Sequence, residues 1–330
     1  MRSMVRMVAF AACLAFFGCA SPAATQSLSP KYTVVHGWPQ IPVGRILGQA
    51  TGVDIDSAGN VFVFHRAGRA WSVDPTLSLI TQSTIDVFEG QSGKHVRSMG
   101  ANLFLMPHGL TIDHDDNMWV TDVLLHQVFK FNAKGELLLK LGEARISGND
   151  RGHFNLPTDV AVLPDGSFYV SDGYGNSRVV KFNAKGEYQF EWGSKGKNPG
   201  EFDLPHAIDI DIEGRVYVAD RSNARIQVFD AEGQFITQWQ SAALGRPYSI
   251  AVSGKRAVVV DGGDQPTEGL DRSGAAVVDL NGQILTKFGR FGNYDGQFRL
   301  AHDVAIGSDG SVFVVDAWGQ RVQKFQPRGR

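Results

Sequence analysis

Short apolar runs closed by glycine-rich turns recur along most of the chain. DVAVL leads through PDGS to FYVSD, a polar loop GYGNSR follows, and VVKFNAKGEYQFEWG reads as two strands around an Ala-Lys-Gly turn. Alternating or continuous apolar runs of this length, punctuated by Gly, Asn and Asp, fit antiparallel strands far better than helices. The unit repeats. Strand ends align at His65 (VFVFH), Asp122 (WVTD), Asp172 (YVSD), Asp220 (YVAD), Asp261 (VVVD) and Asp316 (VVD), spaced by 57, 50, 48, 41 and 55 residues. Such a period suits one four-stranded blade per unit. Six units predict an all-β, six-bladed propeller over residues 48–330, whose closure leaves no long exposed edge. Residues 27–47 are expected as a lead-in. Segments 67–100 and 262–275 are the least regular and are expected as loops or insertions, where function tends to reside. The Asp-rich DIDSAGN and DHDDN read as hairpin turns, since no glutamate follows at the spacing of an EF-hand.

Each unit also has an entry position fourteen residues before its strand-ending residue: Thr51, His108, Thr158, His206 and His302, with Tyr248 taking this place in the fifth unit after a one-residue deletion. Histidine occupies units two, four and six, as MPHGLTID, LPHAIDID and LAHDVAIG. In a closed six-membered ring these stand about 120° apart and aim at one axis. Three imidazoles with an open fourth position describe a catalytic zinc site. Cobalt, manganese or iron also suit three imidazoles. The plainer reading is shared blade ancestry, with each imidazole satisfied by a backbone carbonyl, but duplication gives no reason for the alternation. His36, His95, His114, His126 and His153 lack this relation and are expected as surface or packing residues.

Composition narrows the class. The chain is 43% hydrophobic with 38 glycines and a formal charge of −2. That is ample for a core, and no basic tract invites nucleic acid. Arg2 and Arg6 precede an apolar stretch from Met7 to Gly18 that is too short to span a bilayer, so residues 1–26 read as a secretory signal peptide. Cleavage before Cys19, as in a bacterial lipoprotein, would leave that cysteine for lipidation, though Phe17 sits where a smaller residue is common. Cleavage near Ala23-Ala24 is the alternative. The expectation is an exported protein, periplasmic, secreted or held at a membrane through Cys19, and acting as a monomer. Both cysteines, Cys13 and Cys19, lie in this leader. The mature domain therefore relies on its core and any bound metal, not on disulfides.

The tetrads at 176–179, 223–226 and 319–322 (NSRV, NARI, GQRV) resemble NHL-type propeller repeats, which specify a fold and not an activity. Wider stretches resemble one enzyme family. GVDID…VFVFHR, LFLMPHGLTID…NMWVTDVLLHQVFKF, HFNLPTDVAV…YVSDGYGNSRVV, GEFDLPHAI…VADRSNARIQVF and HDVAI are together similar, in order and spacing, to peptidyl-α-hydroxyglycine α-amidating lyase, from about residue 48 to 326. The resemblance implies zinc on His108, His206 and His302, a catalytic Tyr174 in SDGY, and Arg66 of FHR in the site. It also implies a structural calcium on the carbonyls of Val53 and Leu110 and the carboxylate of Asp303. Val53 and Leu110 each lie two residues past an entry position, which lets their carbonyls share one depth, and calcium takes oxygen ligands. The implied reaction splits peptide-CO-NH-CH(OH)-COO⁻ into a terminal amide and glyoxylate. Tyr174 is the expected general base; a phenol titrates near ~10, so it needs a neighbouring cation or metal. Arg66 would supply that charge or grip the substrate carboxylate. Plainer roles stand beside these: a turn carboxylate for Asp303, a packing ring for Tyr174, an ion pair at the blade edge for Arg66.

Three positions depart from the family pattern. Leu300 replaces a methionine lining the site, Ala301 replaces the proline before the last histidine, and Gly175 stands where the animal enzyme has a disulfide cysteine. These bear on substrate fit and leave the donors in place. Two other classes compete: a non-catalytic propeller that binds a protein or glycan, and a metal-dependent hydrolase such as a lactonase. The latter typically uses calcium with Asp, Asn and Glu, whereas this axis is rich in histidine.

Overall fold

The computed structural model describes residues 31–263 and 272–328; the leader expected at residues 1–26 lies outside the described residues. Six four-stranded antiparallel sheets follow one another around an axis. Blade one is Ala50–Ile55, Asn60–His65, Ile85–Glu89 and His95–Met99. The first, axial strands of the next five blades are Pro107–Ile112, Asp159–Val162, Pro205–Ile210, Pro247–Ser253 and Ala301–Ile306. Blade six takes its fourth strand from the beginning of the described chain, where Tyr32–Val34 pairs with Arg321–Pro327 (Tyr32 opposite Pro327, Val34 opposite Phe325). Part of the expected lead-in thus joins the two chain ends and closes the ring, hiding two edges that would otherwise be open.

Burial explains the sequence pattern. The second strands, such as Phe168–Asp172, Val216–Asp220 and Val312–Asp316, are buried at every residue. They lie between neighbouring blades on both faces, so they read as continuous apolar runs. The fourth strands face solvent; four of the five residues of Phe235–Trp239 are exposed. Core clusters cross the blade boundaries, as where Val53, Val63 and Phe88 of blade one meet Ala305, Phe313 and Val315 of blade six.

One expectation needs correction. Segment 67–100 is not a loop throughout: Ile85–Glu89 and His95–Met99 are the third and fourth strands of blade one. IDVFE and HVRSM flank a turn at 90–94, and only the stretch between His65 and Ile85 is an excursion. In the fifth unit, Gly274 already opens a strand, and 264–271 lie outside the described residues.

The strand-ending aspartates have a common task. Asp122 accepts from the N–H groups of Leu105 and Met106, Asp172 from Asn155, Asp220 from Asp203, Asp261 from Arg246 and Asp316 from Leu300. Each carboxylate thereby fixes the chain entering its blade. The arginine of each NSRV-like tetrad completes the device. Arg225 Nε donates to Asp220 at 2.7 Å, and its other nitrogens donate to the carbonyls of Lys197, Asn198 and Glu201. Arg178 and Arg321 repeat this with Asp172 and Asp316. Blade one uses a different solution: His65 Nε2 donates to Asp86 at 3.0 Å, and Asp86 also accepts from Arg45 of the lead-in.

Asp220 is fully buried. Removing the arginine leaves an unpaired buried charge, which costs about 3–5 kcal/mol. Arg225→Ala is expected to lower unfolding stability in denaturant by about that amount, whereas Lys195→Ala, at an exposed ion pair with Asp203, should cost about 1 kcal/mol or less. Equal effects would remove the structural role given to the tetrads.

Candidate metal centre

His108, His206 and His302 sit second in the axial strands of blades two, four and six, and all three are buried. Their ring centroids lie 4.7, 4.9 and 4.8 Å apart at interplanar angles of 69°, 68° and 69°, close to threefold symmetry. One ligand atom from each falls within 4.8 Å of the others. A tetrahedral ion with bonds of about 2.1 Å places its nitrogens about 3.4 Å apart, so a small inward rotation completes the site.

The intervening blades hold the rings in place. Nδ1 of His108 meets the carbonyl of Thr158 at 2.7 Å, that of His206 meets Tyr248 at 2.7 Å, and that of His302 meets Thr51 at 2.9 Å. A carbonyl only accepts, so each Nδ1 carries the hydrogen and each Nε2 presents a lone pair. Gly109 permits the first of these approaches, because a Cβ there would lie 2.5 Å from the Thr158 carbonyl oxygen. The threonines reciprocate: Thr51 Oγ1 donates to the Pro107 carbonyl at 3.2 Å and Thr158 Oγ1 to that of Pro205 at 2.8 Å. Burial, with Arg66 next in effect, pushes His108 down to about 3. Burial and the neighbouring imidazoles hold His206 and His302 well below the usual range. All three are neutral at ordinary pH, the form in which an imidazole can bind a metal.

Tyr174, from the loop after Asp172, brings its phenol oxygen to 3.0 Å from His206 Nε2 and 3.2 Å from His108 Nε2. Arg66 is buried, with Nε donating to the Pro107 carbonyl at 3.1 Å and Nη1 to Gln49 Oε1 at 2.8 Å; burial lowers it only to about 10, so it stays charged. The structure therefore brings together the five residues expected at the axis.

Two neighbours escaped the sequence reading. Arg221 Nη1 lies 3.5 Å from the Tyr174 oxygen, and its guanidinium sits 4.1 Å from the Tyr248 ring centroid. Its signal was present: Arg221 directly follows Asp220 as Arg66 follows His65, on the opposite side of the ring. Trp71, whose ring lies 4.9 Å from that of Tyr174, belongs to a segment without repeat symmetry and left no such trace.

Val53, Leu110 and Asp303 line a second axial cavity of about 300 Å³, together with Asp54, Asp159, Asp209 and Ser249. Asp303 accepts from the Val53 N–H at 2.9 Å and from Ser249 Oγ at 2.6 Å. The N–H and C=O of one strand residue point to the same edge, so the Val53 carbonyl faces this cavity too. Asp54, Asp159 and Asp209 bridge to the next blade, accepting from Ile112, Ile208 and Val252. Desolvation and mutual repulsion raise Asp54 and Asp209 to about 7 and raise Asp159, and desolvation raises Asp303 to about 6. No Lys or Arg is among the described residues lining the cavity. Crowded oxygens with no Lys or Arg beside them, and only His114 as a basic side chain on the wall, suit a hard divalent cation. Asp54 lies in a strand, not in the hairpin turn expected for DIDSAGN, which is confined to the residues after it.

The departures have local accounts. A Cβ on Gly175 would meet the Asn155 side chain at 2.2 Å. Ala301, unlike proline, has an N–H, which donates to Ser273 Oγ at 3.0 Å. Leu300 is buried against blade five.

Comparison with known proteins agrees with this geometry. The NHL repeat matches residues 154–182, 202–229 and 298–325, which are blades three, four and six and contain the three tetrads. A gluconolactonase from Xanthomonas campestris shares the fold, with a TM-score of 0.61 at 13% identity over 86% of this chain and 87% of that one. Peptidyl-glycine alpha-amidating monooxygenase B of Xenopus laevis is 40% identical over 88% of this chain, which spans 35% of that protein's length. Peptidyl-alpha-hydroxyglycine alpha-amidating lyase 2 of Drosophila melanogaster is 33% identical over 89% of this chain and 74% of its own length. Ring, repeats and relatives converge, and the chain belongs to the peptidyl-α-hydroxyglycine α-amidating lyase family.

Proposed function

We propose that the protein is a zinc-dependent lyase that cleaves the C–N bond of α-hydroxyglycine amides, releasing a terminal amide and glyoxylate. The observation that carries this reading is the placement of the Tyr174 oxygen at 3.0 and 3.2 Å from two Nε2 atoms of the histidine triad, with Arg221 at 3.5 Å. A proton-transfer group, a metal-ligand set and a cation meet at one point.

When bound, the metal supplies Lewis acidity that lowers the cost of negative charge on an oxygen beside it. Tyr174, as the phenolate that the neighbouring cations favour, takes the proton of the substrate hydroxyl at its oxygen. The O–H electron pair becomes the C=O of glyoxylate, the C–N pair leaves on nitrogen, and nitrogen takes up a proton to give the amide. Tyr174 returns that proton, so atoms and charge balance. Arg221 donates to the phenol oxygen and stabilises it while it carries negative charge. Arg66, anchored by Pro107 and Gln49, attracts the substrate carboxylate from the other side. Val53, Leu110 and Asp303 would hold a calcium ion, whose charge would offset the crowded carboxylates of this cavity.

Metal-loaded residues 27–330 should release glyoxylate from a benzoyl-α-hydroxyglycine. His206→Ala should abolish release, and Tyr174→Phe should lower kcat by about 10²–10⁴. A folded, zinc-loaded sample that releases none would sink the reading. Arg66→Ala should act chiefly on KM and Arg221→Ala chiefly on kcat; the reverse pattern would exchange their roles. EGTA should lower the melting temperature and added Ca²⁺ restore it in the parent protein but not in Asp303→Ala. A melting temperature indifferent to calcium would remove the second metal.

A further inference from the structure

One indole touches three of the groups assigned above. Trp71 lies five residues past Arg66, in the excursion between the second and third strands of blade one. Its backbone N–H donates to Gln49 Oε1 at 2.8 Å, the same oxygen that accepts from Arg66 Nη1 at 2.8 Å. Gln49 therefore fixes the start of the excursion and the arginine with one atom. The Trp71 ring lies 4.9 Å from the Tyr174 ring at 36° and 6.5 Å from that of His108, and the Arg66 guanidinium sits 4.9 Å from its centroid. The residue is 38% exposed, so it forms the outer side of the centre.

We propose that Trp71 is a positioning residue for this reaction, fixing Tyr174 and Arg66 relative to each other through one aromatic surface. The two come from blades three and one and share no strand pairing. The Tyr174 hydroxyl lies at the far end of a side chain with two rotatable torsions, so a small swing of the ring moves it away from Nε2. The indole blocks that swing on the side of blade one. The same ring holds the guanidinium by a cation–π contact, which leaves the arginine charged yet restrained. A displacement of about 1 Å at a reacting group costs up to about a hundredfold in rate, so the loss at Tyr174 belongs in kcat, and any loosening of Arg66 adds to KM.

The proposal rests on the lyase reading, and the test separates the two. Trp71→Ala is expected to lower kcat by about tenfold to a hundredfold through Tyr174, and to raise KM through the loosened Arg66 by less than Arg66→Ala does. Trp71→Phe, which keeps an aromatic face, should recover most of kcat, and metal content should be the same in all three proteins. A Trp71→Ala variant as active as its parent overturns the proposal, as does a loss that appears only in KM. Absence of activity in the parent sinks the lyase reading instead. A second measurement then decides the positioning role without turnover, using 3-fluorotyrosine labelling with the Tyr174 ¹⁹F signal assigned by its loss in Tyr174→Phe. Loss of the indole ring current alone shifts that signal, so the readout is its line shape: it should broaden or gain lines in Trp71→Ala and sharpen again in Trp71→Phe. A Trp71→Ala signal as sharp as the parent's, wherever it falls, overturns the role.

Discussion

The centre depends on a belt of hydrogen bonds that crosses from five of the six axial positions to the next blade. Thr51 donates to Pro107, His108 to Thr158, Thr158 to Pro205, His206 to Tyr248 and His302 back to Thr51, all to carbonyl oxygens. The belt joins the blades, and at the histidines it also selects the tautomer, because an Nδ1–H committed to a carbonyl leaves Nε2 bare. The strand pairing of Tyr32–Val34 with Arg321–Pro327 closes the ring, bringing Thr51 within reach of His302. Without that closure the triad would have two oriented rings and one free to turn.

The alternation of histidine with threonine follows from the same belt. A histidine leans into the following blade and uses that blade's carbonyl, and the residue there answers with a short hydroxyl aimed onward. Six imidazoles would crowd the axis with rings less than 5 Å from their neighbours, as the three already are. Thr158 shows the economy of the arrangement: its carbonyl accepts from His108 while its hydroxyl donates to Pro205. Blade five departs because Tyr248 has a further use, presenting its ring to the Arg221 guanidinium.

Much of this was legible in the sequence, for reasons that identify what was not. The blade count and the second-strand ends were readable because a buried strand must be apolar and its closing aspartate must catch the incoming chain. All six aligned strand-ending residues close a second strand in the structure. The axial histidines were readable because they recur at a fixed offset. What repeats without an obvious reason could be listed but not explained: Thr51, Thr158 and Tyr248 were known as positions, while their carbonyls, which every residue has, carry no sequence signal. Arg221 stands at the offset that gives Arg66, but it lies two residues before the Asn-Ala-Arg-Ile tetrad at 223–226, whose own arginine, Arg225, carries the repeat signal. Trp71 and Gln49 had no offset to betray them, since the blade-one excursion has no counterpart in the other units. Asp54 was misread as part of a turn because its neighbours Asp56 and Asn60 do form one, and strand ends cannot be located to a residue by pattern alone.

The two axial layers are also a consequence of strand direction. Each axial strand passes first the nitrogen level and then the oxygen level, so His302 and Asp303 serve different layers though adjacent in sequence. The guanidinium groups of Arg66 and Arg221 lie with the imidazoles and depress their protonation, whereas the four aspartates lie together in the second cavity. Opposite fields along one axis separate a layer of nitrogen donors from a layer of oxygen donors without any residue being shared between them. The departures fall outside both layers: Gly175 meets Asn155, and Ala301 donates to Ser273. They alter the packing that supports the donors while every nitrogen and oxygen named here keeps its place. A change of substrate preference in this chain would therefore be traced first to the walls of the centre, and only afterwards to its donors.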